Sequence, residues 1–152
     1  MTKSCNTSVL SDGLAEEIAD DLLYRSGQAM ISGDFESFRA CFDVPQVYET
    51  ATGKRIAKTE AEFRQVYDDV RAYHETNHII DRARMVISAS FISPDTIGST
   101  HVSSLMQEGG TNFRKPHPAY SIIRKFDEEW RIVSCIYAIL DDPELIEALT
   151  TK

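Results

Sequence analysis

At Ile79 the hydrophobic period of this chain changes from that of a helix to that of a strand, and this switch restricts the fold more than any motif does. Before it, apolar residues recur every three or four positions. After it they alternate: Ile79, Ala83, Met85, Ile87, Ala89 and Phe91 fall on one side, with Arg82, Arg84, Ser88 and Ser90 on the other. The chain therefore reads as α+β, with two or three amphipathic helices preceding a curved antiparallel sheet and closing it into a pocket.

In the first half, Ser11 and Asp12 offer an N-cap, and Leu14, Ile18, Leu22 and Ala29 share a helical stripe that ends near Gly33. Asp34 can cap a second helix with Phe35, Phe38 and Phe42 on one face, stopped by Pro45. Residues 47–50 and 55–58 read as a small hairpin around Thr52-Gly53-Lys54. Thr59 and Glu62 have capping-box spacing, and Phe63, Val66, Tyr67 and Val70 follow at helical intervals. Beyond the long strand, Ser93-Pro94-Asp95 turns the chain into a strand over 96–108, and Gly109-Gly110 opens a loop. Residues 120–126 and 130–139 form a last hairpin, and Asp142-Pro143-Glu144 starts a terminal helix carrying Leu145, Ile146 and Leu149. Residues 1–11 read as a polar leader and 12–152 as one domain, which at this size hides roughly 70% of its unfolded surface.

The net charge of -8, with Lys and Arg scattered among acids, argues against nucleic acid as a partner. No run approaches the roughly 20 apolar residues of a membrane span. The first ten residues lack the apolar run of a secretory signal, so the expected location is cytoplasmic. Cys5, Cys41 and Cys135 are odd in number and far apart, which reads as reduced thiols, with Cys41 and Cys135 as small buried hydrophobes.

The run Ser32-Gly33-Asp34-Phe35-Glu36-Ser37-Phe38 looks like a Gly-Asp corner between two helices, and Trp130-Arg131-Ile132-Val133 looks like a closing strand. With the element order, these segments resemble the nuclear transport factor 2-like superfamily, which includes SnoaL-like cyclases, scytalone dehydratase and ketosteroid isomerases. The resemblance implies a cone-shaped roll of sheet wrapped on N-terminal helices around a mostly apolar cavity. It further implies a small apolar or aromatic ligand, a homodimer formed through the outer sheet face, and lyase or isomerase chemistry that needs no cofactor.

Tyr73-His74-Glu75-Thr76-Asn77-His78 resembles the segment before the third strand in dehydratase and dehydrochlorinase members, which implies His78 as general base. The carboxylate that orients that base in those enzymes has its place here at Ile31, so nothing there fixes the His78 tautomer. Asp81 is a second candidate base. By alternation it shares the face of Ile79 and Met85, where desolvation favours its protonated form. If Ile92 pairs with Thr96, Ile87 faces His101 and Asp81 faces Gln107, placing Asp81 roughly 20 Å from His101 along the strand. His101 then points inward with Ser99, Ser103 and Leu105, towards Tyr48 or Tyr120. Tyr120, Ile122, Phe126, Trp130, Ile132 and Ile136 form an inner wall opposite the Phe38 corner, and His117, between two prolines, reads as a loop residue. The opposite strip, Val133, Cys135, Tyr137 and Ile139 with Val102, Met106 and Ile123, wants a cover.

His74-Glu75-Thr76-Asn77-His78 also matches the H-E-x-x-H zinc signature, which requires one helix running through both histidines. Three readings stand: a lyase or isomerase using His78 or Asp81, a noncatalytic binding module, and a zinc hydrolase.

Overall fold

The computed structural model describes residues 11–150; the leader and Cys5 lie outside the described residues, apart from Ser11. Helix α1 (Asp12–Ser32) starts where Ser11 Oγ accepts from the Leu14 amide at 3.2 Å. Its buried face is mostly small: Ala15, Ala19, Ser26, Gly27 and Ala29, with Leu22, Leu23 and Met30. Small residues let a helix axis approach a sheet closely, and α1 packs mainly along the strand that begins at Ile79. Gly33 ends it at φ 80°, a conformation that costs only glycine nothing. Arg71 Nη1 donates to the Met30 and Ile31 carbonyls at 2.8 and 3.0 Å, satisfying two of the orphan acceptors at that end. Asp34 then caps α2 (Phe35–Arg39), as the Gly-Asp corner requires.

Strands β1 (Phe42–Glu49) and β2 (Lys54–Ala57) form the expected hairpin. Phe42 begins β1 rather than closing α2, and Pro45 sits inside β1 where the ladder to its neighbour is irregular, a tolerated place for proline. Helix α3 (Glu60–Thr76) has the predicted cap, Glu62 N to Thr59 Oγ1 at 3.2 Å. Strands β3 (Ile79–Ser93), β4 (Thr96–Gln107), β5 (Asn112–Phe126) and β6 (Glu129–Tyr137) follow, and α4 (Pro143–Thr150) closes the chain. The sheet order is β2-β1-β6-β5-β4-β3. One feature departs from an antiparallel sheet: β1 runs parallel to β6, so the sheet is mixed, and it curls without closing into a barrel. A parallel pair needs a long crossover, which α3 and the β3–β5 meander supply.

The core joins an aromatic cluster to the sheet. Phe63 is fully buried, its ring centroid 5.7 Å from Phe38, 5.5 Å from Phe42 and 6.1 Å from Phe35. Burying one such side chain contributes about 1.5–3 kcal/mol.

Strand β3 carries three bulges, at Ile80, Ile87 and Ile92, where two residues oppose one on β4. Each extra residue reverses which side of the sheet the following side chains face. Between the first two bulges the alternation is opposite to that expected from hydrophobicity: Met85 is 66% exposed while Arg82 and Arg84 point inward. After Ile87 the parity returns, and Ala89 is buried as expected. The pairing is therefore Asp81 with Met106 and Val86 with His101, one step from the register deduced from the turn. A fourth bulge at Val133 does the same in β6, turning Cys135 and Tyr137 inward and leaving Ile136 48% exposed.

Candidate functional site

Between α3, α4 and the inner face of the sheet lies a cavity of about 600 Å³ including its mouth, of which about 40 Å³ is open to the centre of a water molecule. Met30, Phe38, Phe42, Val66, Val70 and Leu105 supply apolar wall, and Leu145 and Leu149 of α4 supply its cover. Eight polar side chains interrupt this surface: Tyr48, Tyr67, His74, Arg82, Arg84, Ser103, His117 and Tyr137, of which Tyr67 already donates to the Ala29 carbonyl at 3.1 Å. None of the lining residues is an Asp or Glu.

His74 occupies the last turn of α3, in line with Phe63, Val66 and Val70, and is 4% exposed. Neither ring nitrogen has a hydrogen-bond partner among the described residues. Burial drives its pKa down to about 3, aided by the charges of Arg82, Arg71 and Arg84, so the imidazole is neutral at neutral pH. His101, 2% exposed with Nδ1 unpartnered, is likewise held down to about 3 by burial and then by Arg84, Arg82 and His117. Burial followed by Arg82 lowers His117 to about 4.

Arg84 is anchored to α1. Its Nη2 donates to the Leu23 carbonyl and, at 2.6 Å, to Ser26 Oγ. Gly27 makes room for it, since a Cβ there would lie 3.1 Å from that Nη2. Burial and then the neighbouring Arg82 lower the Arg84 pKa to about 9. Arg82 has no hydrogen bond or ion pair from its guanidinium to any described residue, and its Nε is buried. Burial raises the phenols of Tyr48 and Tyr137, keeping both as neutral donors.

Of the residues singled out from the sequence, Phe38 and Tyr48 line this cavity. His101 is buried on β4 beside Ser99, Ser103 and Leu105, as expected, but bonds to neither Tyr48 nor Tyr120. Ile31 packs on the core edge while its neighbour Met30 reaches the cavity. Trp130 meets Phe91 edge-on, ring centroids 5.9 Å apart, and lines a separate surface groove with Leu14 and Ile18. Tyr120 lies on the outer face, where a Cβ on Gly98 would collide with its hydroxyl.

His78 and Asp81 are both exposed and line no part of the cavity. Helix α3 ends at Thr76, Asn77 Nδ2 caps the Tyr73 carbonyl at 2.9 Å, and His78 turns away at φ 55°. The bulge at Ile80 then directs Asp81 outward, where its carboxylate accepts from the Arg82 amide at 2.8 Å. The same helix end separates His74 from His78, so H-E-x-x-H lacks the continuous helix on which its zinc geometry depends. Among the described residues no three His, Cys, Asp or Glu side chains converge.

Cys41 and Cys135 are free and buried, and burial raises both thiols, which makes them poor nucleophiles. Cys135, Tyr137, Ile139 and Ile123, expected on the outer strip, face inward. His117, expected in a loop, belongs to β5, whose first part, 112–118, is unpaired on the β6 side and tolerates Pro116 and Pro118. No helix among the described residues is long and apolar enough to cross a membrane.

No protein-family model and no curated protein matches the chain. Solved structures do. An NTF2-like protein with a cystatin-like fold from Novosphingobium aromaticivorans superposes with a TM-score of 0.63, at 21% identity over 84% of this chain and 82% of that one. The chain has the nuclear transport factor 2-like fold. A domain of unknown function with a cystatin-like fold from Nostoc punctiforme reaches a TM-score of 0.65, at 16% identity over 90% and 85% of the two chains. A ketosteroid isomerase-like protein from Erwinia carotovora atroseptica gives 0.60, at 14% identity over 81% and 94%. The nuclear transport factor 2-like cone carries many activities, so chemistry has to be argued from the cavity.

Proposed function

We propose that the cone binds a small molecule and that His74 exchanges a proton with it, in the manner of a cofactor-independent isomerase or lyase. The observation that supports this is a neutral imidazole with both nitrogens unpartnered, buried on the wall of an otherwise largely apolar cavity. The same cavity is lined by the neutral Tyr48 phenol, whose hydroxyl suits an oxygen that gains charge as a neighbouring carbon loses its proton. The structural likeness to a ketosteroid isomerase-like protein agrees with this class of reaction. His74 takes the role that the sequence alone suggested for His78 or Asp81.

Hydrogen–deuterium exchange of small enolisable ketones and keto acids, followed by proton NMR, tests the assignment. Exchange by the wild type should fall by roughly 100-fold or more in His74→Ala, the usual weight of a positioned general base. Undiminished exchange in that variant would remove His74 from the chemistry. The low basicity of His74 supports a second reading, binding without turnover, for which the same protein would bind these compounds and exchange none.

The outer sheet face supports a second copy of the chain as its cover. Met85, Ile87, Tyr120 and Ile136 are 66, 56, 38 and 48% exposed there. Light scattering should give the dimer mass for the wild type and the monomer mass for Ile136→Lys; a wild-type monomer at high micromolar concentration would dispose of this arrangement.

A further inference from the structure

Arg82 and Arg84 are the least explained side chains in the molecule. They sit two residues apart on β3, on the inner face, because the bulge at Ile80 reversed the strand there. Both Nε atoms are buried without a partner, and no carboxylate of a described residue lies within 4.0 Å of either guanidinium. Burying a charge uncompensated is costly, and folded proteins ordinarily pair it. Around the two guanidinium groups, His74 and Ser103 contribute further buried polar atoms with no partner among the described residues. No lining residue is acidic. The cavity therefore offers positive charge and surplus donors at one side and aliphatic and aromatic wall at the other.

We propose that this cavity is a binding site for a small organic carboxylate, its carboxylate received by Arg82 and Arg84 and its apolar body lying against Phe38, Val66 and Leu149. This rests on the reading of the cone as a small-molecule pocket and specifies the class of molecule. The planar fork of a guanidinium matches a carboxylate in a way that a point charge does not. Arg84 is held on one side by Leu23 and Ser26, which leaves it oriented before a ligand arrives. Arg82, whose guanidinium has no partner among the described residues, is the arm that closes on the ligand. An apolar molecule without charge would leave both guanidinium groups uncompensated, so the ligand expected from the sequence is here given an acidic end.

Calorimetric titration of the full chain with benzoate and with benzamide, its neutral counterpart of the same shape, separates the charge from the pocket. Benzoate should bind roughly 10- to 100-fold more tightly than benzamide, the weight of a charge-assisted hydrogen-bonded pair. In Arg82→Met benzoate should lose most of that margin while benzamide is unaffected; Arg82→Lys, which keeps the charge and loses the fork, should fall between. Arg82→Met removes an unpaired charge and should melt no lower than the wild type, so a loss of binding is not a loss of folding. Equal affinity for the two probes, or unchanged benzoate affinity in Arg82→Met, overturns the carboxylate assignment and leaves the pocket standing. Binding of neither probe overturns the pocket itself.

Discussion

Between pH 7.5 and pH 5.5 the protein should lose about 4 kcal/mol of stability, before most carboxylates have begun to titrate. His74 and His101, lowered to about 3, and His117, lowered to about 4, stay neutral in the fold while an unfolded histidine protonates near 6.5. A folded pKa below the unfolded one means that stability is fully present above about pH 6.5 and is lost as pH falls towards 4, because only the unfolded chain takes up the protons. Each such group costs about 1.4 kcal/mol per pH unit once well below 6.5, so three together set a steep slope. Set against a usual total of about 5–15 kcal/mol, this brings the domain near its unfolding limit at mild acidity. Urea midpoints at pH 7.5, 6.5 and 5.5 measure it, and His101→Asn should remove about a third of the slope. Midpoints that do not move over this range would mean that the three rings are solvated or paired.

These histidines also show how far the sequence could be read. His74 continues the stripe of Phe63, Val66 and Val70, a signal of burial that the zinc signature masks, since a neutral buried imidazole and a zinc ligand look alike in a string of letters. His101 is buried because β4 alternates without interruption through Ser99, His101, Ser103 and Leu105, although the pairing with Ile87 from which its direction follows in the sequence is one step off. His117 was missed because proline on both sides signals a loop unless the strand edge is known to be free. The element order and the Gly-Asp corner were legible because caps and periods are local. The site was not, because it depends on parity. Hydrophobic alternation assigns Met85 and Ile87 to the core, and the bulges at Ile80 and Ile87, invisible without the partner strand, exchange them for Arg82 and Arg84.

Asp142→Ala should destabilise the protein by about 3 kcal/mol and loosen the cover of the cavity. Asp142 is 3% exposed, accepts the Tyr73 hydroxyl, receives the Leu145 amide at 3.3 Å and lies 3.5 Å from Arg114 Nε. Truncation removes the N-cap of α4, about 1 kcal/mol, and leaves the buried Tyr73 hydroxyl unpaired, another 1–3 kcal/mol. Since α4 brings Leu145 and Leu149 over the cavity, the variant should also admit an apolar dye that the wild type excludes. Asp142→Asn, which can keep the cap, should lose less than half as much. Denaturant unfolding of the two variants beside the wild type provides the comparison. Equal stability of all three would show that α4 is held by its apolar contacts alone.

The claim on which the functional reading turns is that His74 faces the cavity neutral and unpaired. Two-bond proton–nitrogen NMR of ring-labelled histidine reports its state directly. His74 should remain neutral down to pH 5.5, and both of its ring nitrogens should shift when a ligand occupies the cone; an imidazole that titrates near pH 6.5 and ignores the ligand would contradict the assignment.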